Sequence, residues 1–264
     1  VISLAVFSAK NQGGLAYDKA AGWDPQPAFQ MKLSHKIAKL GQPLTYRRTW
    51  RRVERVIHPI PLGPIFARID QGRLAEIQAD YANSREHYAK YADVKRWLRL
   101  NIIRAQDLQL HRCPPKSVLD LGCGGGFFLF VLQQLGYTGL GLDIDEFPLF
   151  TRLLELFQVE RRLWTIRPFE PLPDLGRKFD LITAFSIDFN RESKRDWWWG
   201  PSEWAFFLDD LERHLNPGGR IFLGLNPSKN KEFYTPELRE FFLARGASVE
   251  RENVFFLPKG LAAT

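Results

Sequence analysis

Residues 117–126 read Ser-Val-Leu-Asp-Leu-Gly-Cys-Gly-Gly-Gly, an apolar run that passes straight into a turn holding four glycines. The pattern predicts a strand that stops at a sharp bend. Gly122, Gly124 and Gly126 alternate there, so the backbone can turn tightly with no Cβ between it and a ligand. Residues 127–135 are mostly apolar and are expected to form a helix whose N-terminus faces that ligand. A second short apolar run, 139–142, ends in Asp143, 23 residues after Asp120.

The order Asp120-x-Gly122-x-Gly124-x-Gly126, with an acid ahead of the glycines, resembles the first motif of class I S-adenosylmethionine-dependent methyltransferases. The usual nicotinamide fingerprint, G-x-G-x-x-G, is spaced differently. The resemblance implies an α/β fold, a doubly wound, seven-stranded, mostly parallel sheet with a helical N-terminal extension, and S-adenosyl-L-methionine as cofactor. It assigns cofactor contacts to Asp120, Gly122, Cys123, Gly124, Gly126, Asp143, Ile144 and Phe185, with Asp143 accepting hydrogen bonds from the ribose hydroxyls. Further along, 179–185 looks like the family's fourth strand and 215–223 like its turn and fifth strand. Residues 235–245 have helical spacing, and 246–249 with 253–257 look like the closing antiparallel pair. One departure matters: where many members carry an acid for the adenine amino group, this chain has Pro168. The Phe169 backbone and the Glu170 carboxylate are expected to serve instead.

Charge is concentrated in one place. Between residues 31 and 57 lie Lys32, Lys36, Lys39, Arg47, Arg48, Arg51, Arg52 and Arg55 against Glu54 alone, which equals the net charge of +7 for the whole chain. Any polyanion partner must therefore be sought there. Tyr46, Trp50, Val53 and Ile57 recur at steps of four, three and four, so 45–57 reads as a basic amphipathic helix. The expected organisation is a poorly ordered 1–30, a basic segment with a Pro-rich linker at 31–64, and a methyltransferase domain at 65–264 with a helical cover at 65–112. Met31, the lone methionine, is expected to mark a natural start that leaves 1–30 dispensable. Helices are predicted over 73–81 and 91–108. Cys113 and Cys123 are too few for a disulfide framework, no histidine spacing suits a metal, and no apolar run approaches a membrane span. A cytoplasmic protein, peripheral at the membrane through 32–57, is the expectation.

The stretch after the fourth strand is unusual. Asp188 and Asn190 are followed by Trp197, Trp198, Trp199 and Trp204, in a connection longer than the fold requires. These aromatics, with Asn190 and with Tyr91 from the cover, are the expected acceptor contacts, and Asp188 and Glu203 the candidate bases. The leading function is methyl transfer to a small-molecule, glycan or lipid-linked hydroxyl, with anionic membrane association through the basic helix. A nucleic-acid methyltransferase using the same arginines is the alternative, disfavoured because Ser186-Ile187-Asp188-Phe189 stands where base-amine enzymes carry Asn/Asp-Pro-Pro-aromatic. A non-catalytic binding protein is the third reading.

Overall fold

The computed structural model describes residues 43–114, 116–192, 197–228 and 230–257; the expectations for residues 1–42 lie outside this range. The chain divides after Pro59 into two units, and helix α1, Pro43–Ile57, belongs to the first.

The second unit begins with α2 (Leu62–Phe66), α3 (Gln71–Tyr81), a 3-10 turn (His87–Ala92) and α4 (Val94–Asp107). Then follow β1 (Ser117–Leu121), α5 (Phe127–Gln134), β2 (Thr138–Asp143), α6 (Pro148–Phe157), β3 (Arg161–Leu163) and β4 (Phe179–Ile187). A hairpin of β5 (Arg191–Glu192) and β6 (Trp197–Trp198) leads to α7 (Pro201–Arg213), β7 (Leu215–Leu225), α8 (Pro236–Ala244), β8 (Ala247–Glu250) and β9 (Asn253–Phe256).

Two expectations are corrected at the helix starts. The stiff linker at 58–64 ends early, because Pro64 sits in the first turn of α2, where a missing N–H costs nothing, and buried Ile65 anchors that turn. The long helix expected from 91 starts at Val94, since the Asp93 carboxylate accepts from the Arg96 N–H at 3.2 Å and caps it.

Seven strands form one sheet in the order β3-β2-β1-β4-β7-β9-β8; β9 pairs antiparallel to both β7 and β8, and the rest are parallel. The strand period of two divides the core. Val118 and Leu181 face the cluster built with α4, α5 and α6, whereas Leu119, Leu121 and Ile182 face the one built with α7 and α8. Leu119 and Leu121 are essentially unexposed, each contributing about 1.5–3 kcal/mol by burial. The same alternation turns Asp120 and its neighbour Thr183 toward α4.

Candidate active site

The chain leaves β1 to one side for β2 and β3, then crosses to β4 on the other side. In open α/β sheets the crevice beyond the carboxyl ends of the strands at such a reversal takes the ligand. The glycine turn lies there. Gly122 N–H donates to the Leu142 carbonyl at 2.6 Å, tying the turn to β2. The Asp143 carboxylate receives the Gly124 N–H on one oxygen and the Ile144 N–H on the other, the latter at 2.7 Å. Burial raises the pKa of this carboxyl, and those two backbone donors oppose the shift. Each oxygen keeps a lone pair for a further donor. Gly124 has φ +54°, and a Cβ on it would meet only the Phe150 ring, at 3.6 Å, so the space that such a Cβ would enter is otherwise open.

Beside Asp143 lies a depression of about 350 Å³ lined by Ile144, Asp145, Leu163, Trp164, Thr165, Arg167 and Glu170. Glu170 is among them, ion-paired with Arg167 at 3.3 Å. Phe169 is not: it takes φ +60° and sets its ring edge-on to Phe206. Leu163, Trp164 and Thr165 were missed because β3 ends at Leu163, earlier than alignment on the Pro168 position implies. The signal available was Trp164 directly after a short polar-flanked strand.

The opposite side of the turn holds a polar set. Asp120 is 3 % exposed and accepts from Thr183 Oγ1 at 2.6 Å. Burial pushes its carboxyl up to about 7, against the pull of that hydrogen bond and of Arg104. Arg104, on α4, is half-buried; it donates to Asn101 Oδ1 at 3.1 Å and Ser186 Oγ at 3.3 Å and lies 4.4 Å from the Phe185 ring centroid. Among the described residues no carboxylate lies within ion-pair distance of it. Arg104 went unnoticed in the sequence, although it follows Asn101 as a second polar residue on the row Trp97, Asn101, Arg104, Leu108, spaced at steps of four, three and four between two apolar ends. Phe185 sits between the rings of Phe128 and Phe222 as a wall of this end. Tyr91 packs on Trp97 and Phe150, with ring centroids 4.3 and 5.0 Å away, and Phe150 in turn borders Gly124.

The connection after β4 corrects several expectations. Trp199 is 2 % exposed and Trp204 unexposed; both interlock with Phe207 in the core beneath α7 and do not face a pocket. Asn190 is also buried, its carbonyl holding the Trp199 N–H at 2.9 Å. Glu203 accepts the Gly200 N–H at 2.9 Å and caps α7, a structural task. Cys123 is buried, its sulfur turned to where a Cβ on Gly141 would fall, and burial pushes its thiol well up. Trp198 is half-buried with the Arg191 guanidinium over its ring, and Asp188, partly exposed, is ion-paired with Arg191. The Trp197 side chain lies outside the described ones. Among the described residues no group of three His, Cys, Asp or Glu side chains is arranged to hold a metal, and no helix is long and apolar enough to cross a membrane.

No family model matches the chain. It is 29 % identical over 166 residues to a tRNA U34 carboxymethyltransferase of Campylobacter hominis, covering 61 % of this chain and 50 % of that protein. It is 26 % identical over 185 residues to a probable S-adenosylmethionine-dependent methyltransferase of Mycolicibacterium smegmatis, covering 65 % of this chain and 66 % of that one. The chain thus spans between half and two thirds of the length of these curated relatives. Among solved structures, DesVI of Streptomyces venezuelae is similar at 14 % identity and a TM-score of 0.43, over 61 % of this chain and 91 % of that one. With the glycine turn joined to Asp143 and a seven-stranded sheet closed by an antiparallel pair, the chain resembles the class I S-adenosylmethionine-dependent methyltransferases, and the curated relatives it matches include one named as a probable S-adenosylmethionine-dependent methyltransferase.

Proposed function

We propose that the chain transfers a methyl group from S-adenosylmethionine to a hydroxyl of a small-molecule, glycan or lipid-linked acceptor. The observation that carries this reading is the Asp143 carboxylate gripping the glycine turn, with the polar set of Asp120, Thr183 and Arg104 across from it. The residues fit the cofactor. Asp143 has lone pairs for ribose hydroxyls, Ile144, Leu163 and Trp164 offer flat apolar walls to a purine, and Thr165 and Glu170 offer polar edges. Asp120 suits an ammonium group, and Arg104, with donors to spare, suits a carboxylate. When bound, the cofactor supplies an electrophilic methyl on a positively charged sulfur, and its loss leaves a neutral thioether.

The chain's own work is to hold the acceptor oxygen in line, exclude water and take the hydroxyl proton. Asp188, just beyond β4, is the base in this reading, oriented by Arg191, while Trp198 gives the acceptor a flat surface. Asp188→Asn is expected to slow turnover by about a hundredfold near neutral pH, and by less at high pH as the acceptor ionises unaided. The assay follows tritiated methyl from the cofactor into fractions of a cell extract. Label in an organic-soluble, glycan or small-molecule fraction, lost in the variant, is the expected result. Label in a nuclease-sensitive fraction would replace this reading with a nucleic-acid acceptor, the second reading, which the name of the Campylobacter hominis relative favours.

Asp120 gives cofactor binding a pH dependence. With its folded pKa raised to about 7, against about 4 in an unfolded chain, the folded protein holds an extra proton between those values. The resulting stability is present at low pH and is lost as pH rises to 7. A cofactor ammonium favours the ionised carboxylate, so affinity changes the other way: the dissociation constant is expected to be about tenfold higher at pH 6 than at pH 8. Titration calorimetry at both pH values reads this, and Asp120→Asn is expected to flatten the difference. A flat wild-type profile removes Asp120 from contact with the ammonium.

A further inference from the structure

Helix α1 holds four of the large apolar side chains that the described residues leave exposed: Trp50, Val53, Val56 and Ile57, at 60, 40, 80 and 59 %. At 100° per residue these four fall within one arc of about 120°. Arg51, Arg52 and Arg55 fall in a separate arc of about 100° on the other side of the helix; position 48 falls within it and position 47 about 40° beyond its edge. The helix carries five arginines and one acid in 15 residues.

We infer that α1 is a docking helix for an anionic phospholipid surface, lying in the plane of the headgroups. The chemistry separates this occupant from others. Phosphate contacts alone explain the arginines, but a nucleic acid gives Val53, Val56 and Ile57 nothing to bury against, because aliphatic side chains do not stack on bases. A bilayer satisfies both arcs at once: the apolar residues enter the acyl boundary, Trp50 sits at the headgroup level, and the arginine stems let their charged heads reach the phosphates. Attraction to an anionic leaflet contributes about 1 kcal/mol per arginine near the surface, which falls with added salt.

The test uses the full chain and sedimentation with two vesicle populations, pure phosphatidylcholine and phosphatidylcholine containing phosphatidylserine. Binding to the anionic vesicles, weak binding to the neutral ones and loss at high salt are expected. Replacing Arg51, Arg52 and Arg55 together by Gln is expected to weaken binding about a hundredfold. Trp50→Ala with Ile57→Ala keeps the charge and is expected to weaken it as well, while leaving cofactor affinity unchanged. Equal binding to both vesicle types, or insensitivity to both variants, overturns the inference. So does retention of nucleic acid in place of vesicles at the same salt, or a dimer that Trp50→Ala dissolves. Cofactor titration of the same preparations keeps this outcome separate from that of the methyl-transfer reading.

Discussion

Asp143→Ala is expected to raise the dissociation constant for S-adenosylmethionine by ten- to a hundredfold, since about 1–3 kcal/mol goes with a half-buried acceptor. Two losses coincide. In the proposed cofactor site the ribose hydroxyls lose their acceptor, and the Gly124 and Ile144 N–H groups lose the carboxylate that fixes the turn. Asp143→Asn is instructive for the same reason. One of its two positions becomes an NH2, which must face a backbone N–H, so the conservative variant is expected to bind nearly as weakly as the alanine. Titration calorimetry measures both, with melting curves run beside it. An alanine variant that binds within twofold of the parent removes Asp143 from the cofactor site.

The second large effect falls on folding. Gly126 has φ +75°, and a Cβ there would lie 2.6 Å from Leu154 Cδ2 and 3.3 Å from Val159 Cβ. A left-handed alanine costs about 1–2 kcal/mol, and forcing α6 and the residues after it apart costs about 1–3 more. Gly126→Ala is therefore expected to lower the melting temperature by about 5–15 °C. Gly124→Ala makes the contrast. Its Cβ meets only Phe150 at ordinary contact distance, so the folding cost is the left-handed conformation alone, while the open face that a ligand needs is obstructed. Differential scanning calorimetry with and without cofactor distinguishes the two positions: Gly126→Ala melts early in both conditions, and Gly124→Ala loses mainly the ligand-induced rise. Equal melting temperatures for Gly126→Ala and the parent would show that α6 does not close over the turn as described.

The sheet was legible because its instructions are local. The apolar run ending at Leu121, the glycines and the run ending at Asp143 each name a strand and its stop, and β4, β7 and the closing pair β8–β9 fell where their patterns predict. The pairing of the glycine turn with Asp143 was legible for the same reason, since the two are joined by geometry that the spacing already implies. What stayed hidden depends on contacts between distant segments. Arg104 reaches Ser186 across 82 residues, and Thr183 meets Asp120 across 63. No period within either segment reveals those pairs. The tryptophan run misled because a row of aromatics after a strand reads equally well as a pocket wall or as core. The choice was made by α7, whose capping by Glu203 directs Trp204 into the cluster that also takes Trp199.

The aromatic stack beside the glycine turn ties motion to occupancy. Phe150 lies at contact distance from the space beside Gly124, Tyr91 meets Phe150 edge-on, and Tyr91 in turn lies against Trp97 at the start of α4. Backbone at the turn and the helices before β1 thus share one set of rings, so a ligand that stiffens the first damps the second. In the methyl-transfer reading, release of a spent ligand is expected to depend on those rings loosening together, which would make the pace of turnover a property of the cover as much as of the chemistry beneath it.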